Sequence, residues 1–168
     1  MKGFKRVASM TDIVQEVSKL LHEKNLLLAS AESCTGGWVA KKMTDLAGSS
    51  AIFDRAYVTY SNQAKQDMLG VAAITLDTYG AVSEQVVAEM VEGVLERSNV
   101  DIALSISGIA GPGGGSPEKP VGMVCFGWQL RGAEPQTDIQ YFRGDRHAVR
   151  HQSVEHALKG VIKLLAGC

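Results

Sequence analysis

The stretch "LLLASAESCTGGWVAKKMTDLAGSSAIFDRAYVTY" (residues 26–60) decides how this chain folds. It opens with a short apolar run at 26–31 that suits a buried strand. "TGGWVAKKMTDL" follows with helical spacing from about Thr35 to Leu46, and Gly48 is placed to stop it. "AIFDRAYVTY" (51–60) is rich in aromatic and β-branched residues and reads as a second strand. Strand, helix and strand in that order form a crossover unit, which requires the two strands to run parallel. Such units place their sites at the carboxyl ends of the strands. Ser33 and Tyr60 fall at two such ends.

The rest of the chain extends this unit in both directions. "TDIVQEVSKLLHEKN" (11–25) spaces Ile13, Val14, Val17, Leu20 and Leu21 along one helical face, with Thr11 as the expected cap. "SNQAKQDMLG" (61–70) reads as a short helix capped by Ser61 or Asn62 and stopped by Gly70. "VAAITLDTYGAV" (71–82) reads as connection. "SEQVVAEMVEGVLERSN" carries an apolar stripe from Val86 to Leu95, and "DIALSIS" (101–107) is the next strand. "GIAGPGGGSPEKPVG" (108–122) is a loop by composition. "MVCFGWQLR" and "TDIQYFR" are strands joined by "GAEPQ" as a hairpin, and Asp145 caps a final helix. The fold class expected is α/β, a three-layer α/β/α sandwich on a mixed, mostly parallel five-stranded sheet. Residues 1–10 read as a loose N-terminal tail and 11–168 as a single domain.

Composition excludes several functions. The chain has 168 residues, with 17 Lys and Arg against 18 Asp and Glu and a formal net charge of −1. No bulk attraction to nucleic acid or to an anionic membrane follows from that balance, which leaves room for a local basic patch. No run approaches the length of a membrane span, and "MKGFKRVASM" lacks the apolar core of a secretory signal. Cys34, Cys125 and Cys168 are odd in number and widely spaced, so they read as reduced thiols in a cytoplasmic protein rather than as a disulfide or zinc framework.

Three nucleophiles stand together in "AESCTGG": Ser33, Cys34 and Thr35. Backbone N–H groups of residues 34–36, at the expected helix start, suit an oxyanion or a phosphate. Ser33 or Thr35 could equally serve only as the helix cap. Cys34 lacks a histidine clearly aimed at it, since His147 alone lies close behind a strand. His147, His151 and Glu155 have metal-like spacing, but helical geometry puts the two histidines on the N-terminal extension of an apolar stripe and Glu155 at its edge, and no ligand set is completed. A serine without histidine needs another base. Lys65, one turn into the helix after Tyr60, would serve if desolvated, although solvent exposure is the ordinary fate of a lysine. The loop after Ser107 is neither a phosphate-binding P-loop nor a dinucleotide fingerprint. It reads either as a flexible connection or as a backbone cradle. Arg143 and Arg146 could help to hold an anion there, or form exposed salt bridges.

"AESCTGGWVA", "VTYSNQAK", "GAVSE", "SISGIAGPGGG" with "EKPVG", and "FRGDR" occur in order over nearly the whole chain. Together they resemble the CinA C-terminal domain family, and most closely its stand-alone nicotinamide-nucleotide amidases. The resemblance implies deamidation of nicotinamide mononucleotide to nicotinic acid mononucleotide and ammonia, within pyridine nucleotide recycling toward NAD. It implies Ser33, Lys65 and Tyr60 as catalytic residues. Cys34, Thr35 and Gly36, with Gly108, Ile109, Ala110 and Gly111, are the expected oxyanion and substrate-binding positions. No cofactor or metal is implied, and no nucleic-acid or membrane partner. A homodimer or higher homo-oligomer is expected. A second reading, from a different class, is a non-catalytic nucleotide-binding or partner-docking module of the competence and damage context.

Overall fold

The computed structural model describes residues 7–168. Its sheet has five strands in the order β2-β1-β3-β4-β5: β1 (Leu28–Glu32), β2 (Phe53–Val58), β3 (Ile102–Gly108), β4 (Met123–Leu130) and β5 (Gln136–Tyr141). β1 pairs in parallel with both β2 and β3. β4 runs antiparallel to β3, and β5 antiparallel to β4. Four strands therefore share one direction, as the crossover and the hairpin together predict.

Helices α1 (Met10–Lys24), α2 (Trp38–Thr44) and α6 (Arg146–Ala166) cover one face. Helices α3 (Asn62–Leu69), α4 (Ala73–Tyr79) and α5 (Glu84–Glu96) cover the other. The alternation along β3 separates the two faces. Ile102, Leu104 and Ile106 enter the first core, while Ala103 enters the second. On the second face Ser105 donates its hydroxyl to Val87 O at 2.7 Å. A Cβ added at Gly127 would lie 2.7 Å from that same carbonyl. The absence of a side chain there is what lets α5 sit close on the sheet.

Three local expectations are corrected. Residues 73–79, read as connection, form α4, whose Leu76 packs into the second core. Its seven residues are too few to display a clear helical period. α1 is capped by Ser9 rather than Thr11. The Ser9 side chain and backbone exchange bonds with Asp12, and Met10 is already buried. Residues 1–6 of the expected tail lie outside the described residues. α2 begins at Trp38, three residues later than predicted, and ends at Thr44, before Gly48. Gly36 and Gly37 have φ of +58° and +97°, which turn the chain sharply before the helix can start. Ser61, Gly70 and Asp145 act as caps as expected.

Candidate active site

β1 ends at Glu32, and its neighbours fix what comes next. Ser33 N–H donates to Ile106 O of β3 at 3.0 Å, and Thr59 N–H donates to Glu32 O at 2.9 Å. Ser33 and Thr59 are thereby held side by side at the carboxyl ends of parallel strands, where sites in open α/β sheets form. Ser61 then caps α3 through Ala64 N–H, and Lys65 lies in the first turn. Side chains on a helix lean toward its N-terminus. The Lys65 stem accordingly runs back over that turn, and Nζ donates to Thr59 O at 2.8 Å and to Ser33 Oγ at 3.0 Å.

Lys65 is 1% exposed. Burial disfavours its ammonium form and lowers its pKa from 10.5 to about 8. Neither of its two partners is a carboxylate, so no bonded anion offsets the desolvation. Cys34 differs. Its thiol is buried, and burial pushes it up to about 11. It stays protonated near neutral pH, and Lys65 Nζ bonds Ser33 Oγ rather than its sulfur.

The two side chains open on a cleft of about 270 Å³. Cys34, Tyr60 and Asn62 line one side of it. Ala81 and Val82, from the connection before α5, line another, with Ser107, Gly108 and Ala110 beyond. Arg146, in the first turn of α6, closes the rim. It donates to Tyr60 Oη and to Gly111 O, both at 2.9 Å. Tyr60 is 63% exposed and reaches the cleft from the rim, without a bond to Ser33.

The structure thus brings together Ser33, Lys65, Tyr60, Cys34, Gly108 and Ala110 from the expected set. It does not bring all of it: Thr35 and Gly36 line a separate hollow beside Trp38 and Arg150. Ile109 N–H is taken by Met123 O and its carbonyl by Gly122 N–H, so its backbone belongs to the sheet end. The Gly111 carbonyl is taken by Arg146. Gly36 N–H closes a turn on Ser33 O at 3.0 Å and is not an oxyanion donor. The N–H groups of Val39 and Ala40, at the true helix start, go to Glu32. Among the described residues, the Thr35 N–H has no protein acceptor, and the Cys34 N–H meets only its own sulfur. Arg143 is exposed, and Arg146 is the arginine of the pair at the cleft. His147 and His151 pack about Trp38, with centroids 5.2 and 5.7 Å away, and no group of three or more metal-ligating side chains occurs among the described residues.

Two contributors escaped the sequence reading. Glu32 is fully buried and accepts from Thr35 Oγ1 at 2.8 Å, Val39 N–H at 2.9 Å, Ser30 Oγ at 3.1 Å and Ala40 N–H at 3.2 Å. An acid at the end of an apolar strand, just before a glycine turn, was the available signal. Asn62 at the cleft wall carried no signal beyond its place in "YSNQAK".

Fold and cleft together define a class: an α/β/α-sandwich protein with a buried lysine bonded to a serine at the carboxyl edge of its parallel strands. More particularly, the chain belongs to the CinA C-terminal domain family, whose description matches residues 10–165. It is 53% identical over 148 residues to the nicotinamide-nucleotide amidohydrolase PncC of Enterobacter agglomerans, covering 88% of this chain and 90% of that protein. It is 50% identical to a CinA-like protein of Akkermansia muciniphila over 84% of this chain, which spans only 34% of that longer relative. Among solved structures, the competence/damage inducible protein CihA from Agrobacterium tumefaciens superposes with a TM-score of 0.90 at 41% identity, covering 98% of this chain and 99% of that one.

Proposed function

We propose that this chain is an amidohydrolase that converts nicotinamide mononucleotide to nicotinic acid mononucleotide and ammonia, with Ser33 as nucleophile and Lys65 as base. The observation that carries the reading is the 3.0 Å bond between Lys65 Nζ and Ser33 Oγ in a lysine whose pKa burial lowers to about 8. The substrate comes from the relatives named amidohydrolases at half or more identity over most of both chains.

In the neutral form, Lys65 Nζ takes the Ser33 hydroxyl proton as Oγ bonds to the carboxamide carbon. The oxyanion is met by the N–H groups of Cys34 and Thr35. The carbon–nitrogen bond breaks, and the departing nitrogen takes the proton held on Lys65, leaving as ammonia. Water then attacks the ester. Lys65 removes its proton and returns it to Ser33 Oγ as the acid is released. Tyr60, whose oxygen accepts the Arg146 N–H, keeps its own O–H free to donate to the amide nitrogen. Gly108 and Ala110 form the wall against which the nucleotide lies. The enzyme is further proposed to act as a homodimer or higher homo-oligomer in the cytoplasm, a compartment that suits its free thiols.

The test is ammonia release from nicotinamide mononucleotide by the wild type and by Ser33→Ala, Lys65→Ala and Cys34→Ala. Activity is expected to survive only the cysteine change. Full activity in Ser33→Ala would overturn the assignment.

A further inference from the structure

The mechanism leaves Arg150 unused, yet this side chain is committed to the turn that carries the nucleophile. Its Nε donates to Cys34 O at 2.9 Å and its Nη2 to Thr35 O at 3.2 Å. The guanidinium also lies 5.2 Å from the Trp38 ring centroid, and that ring is packed by His147 and His151. From the opposite side, Glu32 holds Thr35 through its hydroxyl at 2.8 Å. The peptide joining Cys34 and Thr35 is therefore gripped at its carbonyl and at the side chain that follows.

That peptide is trans, since the cis bond of the described residues is Gly111–Pro112. In a planar trans peptide the N–H points opposite to the C=O. Drawing Cys34 O toward α6 consequently aims Thr35 N–H to the other side of the turn. A cation on the carbonyl end also polarises the unit and makes its N–H a stronger donor. We propose that Arg150 is a positioning residue: by fixing the carbonyls of Cys34 and Thr35 it aims and strengthens the Thr35 N–H that receives the oxyanion. The inference rests on the amidohydrolase reading above. Lysine is a point donor without a planar fork, so it cannot reproduce both bonds in the same geometry.

The experiment compares wild type, Arg150→Met, Arg150→Lys and Arg150→Ala on nicotinamide mononucleotide, with thermal melting measured alongside. Arg150→Met loses kcat on the order of 10- to 100-fold, less than deletion of an oxyanion donor, because the N–H remains but is misaimed. Its KM moves by less than about threefold, because the donor acts on the transition state and not on the bound amide. Arg150→Lys recovers part of the loss, and added guanidinium raises kcat of Arg150→Ala but not of wild type. A kcat within about twofold of wild type in Arg150→Met, or a loss confined to KM, overturns the proposal. If Arg150→Met does not fold, Arg150→Lys and the guanidinium response decide in the same way.

The second arm is the rate at which Ser33 is labelled by a fluorophosphonate, in which an Oγ–P bond forms, fluoride leaves and Lys65 takes the serine proton. If wild type releases no ammonia from the mononucleotide but labels at Ser33, the substrate reading falls alone. Slower labelling in Arg150→Met then upholds the positioning role, and an equal rate ends it. A wild type inert in both arms ends both proposals.

Discussion

Two segments border the cleft, and they are built on opposite principles. The turn at 33–37 is short, mostly buried and held from every side: Ser33 by β3, Thr35 by Glu32, and the Cys34 and Thr35 carbonyls by Arg150. The glycine-rich segment after Gly108 is long and mostly exposed across 112–121. Its ends are fastened by the backbone bonds of Ile109 and Gly122 and by Arg146 on Gly111 O, while its exposed middle is held to other elements through Lys119 Nζ on the carbonyls of Tyr79 and Val82. The two arginines lie one helical turn apart on α6, so a single helix face addresses both segments. Groups that must meet a transition state need fixed geometry. A wall that admits and releases a nucleotide needs room. The proposed chemistry accordingly falls on the rigid segment and the proposed cradle on the looser one.

The largest effect that would break this division is catalytic. Ser33→Ala or Lys65→Ala is expected to lower kcat on the order of 10³-fold or more, and the double variant little further, because the pair acts as a unit. Steady-state ammonia release measures it. Additive losses in the double variant would show that the two side chains do not share one step.

A structural contrast comes next. Glu32→Ala leaves four donors in and around the rigid turn, from Ser30 in β1, Thr35, and Val39 and Ala40 in α2, without the carboxylate that accepts them. The expected cost is on the order of 3 kcal/mol or more, read from urea denaturation. A cost below about 1 kcal/mol would mean that water replaces the carboxyl, and that the turn is less enclosed than its burial implies.

The pH dependence separates chemistry from stability at one residue. The reactive form of Lys65 is neutral, so kcat/KM is expected to rise about tenfold per unit at acid pH and level off above about 8. A profile flat from pH 6 to 9 would remove Lys65 as base. The same shift makes a claim about folding. The folded pKa lies below the unfolded one, so between about 8 and 10.5 the unfolded chain holds the extra proton. Stability therefore rises with pH across that window. Cys34 and Cys125, each raised to about 11, act in the opposite sense above 9. The difference between wild type and Lys65→Met isolates the lysine, and wild type should gain a few kcal/mol relative to the variant over that range. The activity profile and the stability difference should report the same ionisation.

Much of this was legible in the sequence, for reasons that differ by element. The β1-α2-β2 unit and the hairpin announced themselves through periodicity and turn composition, which are local. Ser61, Gly70 and Asp145 were readable because capping is also local. Lys65 was placed near Ser33 by topology alone, but its burial depends on how α3 seats against the strand ends. α4 was missed because seven residues make fewer than two helical turns. The start of α2 was misplaced because the positive φ of Gly36 and Gly37 delays the helix, and a glycine pair suits a helix start or a turn equally well. Glu32 and Arg150 were invisible as a pair: they act on the same peptide from 118 positions apart in sequence.

The smallest expected effect tests the comparison at the level of one added methyl. At Gly36 there is room, since a new Cβ would stand 3.7 Å from Arg150 Nη2. The cost is conformational, because φ is +58°, a region that an alanine enters at about 1–2 kcal/mol. That strain falls on the peptide units held by Ser33 O and Arg150, so Gly36→Ala is expected to lower kcat as well as stability. At Gly113 a new Cβ meets nothing within 4 Å, and φ lies outside the left-handed region. Gly113→Ala is expected to leave kcat unchanged and to stabilise the fold by roughly 0.4–1 kcal/mol, through loss of unfolded-chain freedom. Melting curves and kcat for the two variants give the comparison directly. If Gly113→Ala lowers kcat as much as Gly36→Ala does, the glycine-rich segment must move or tighten during turnover, and the division between a rigid chemical turn and a passive wall is wrong.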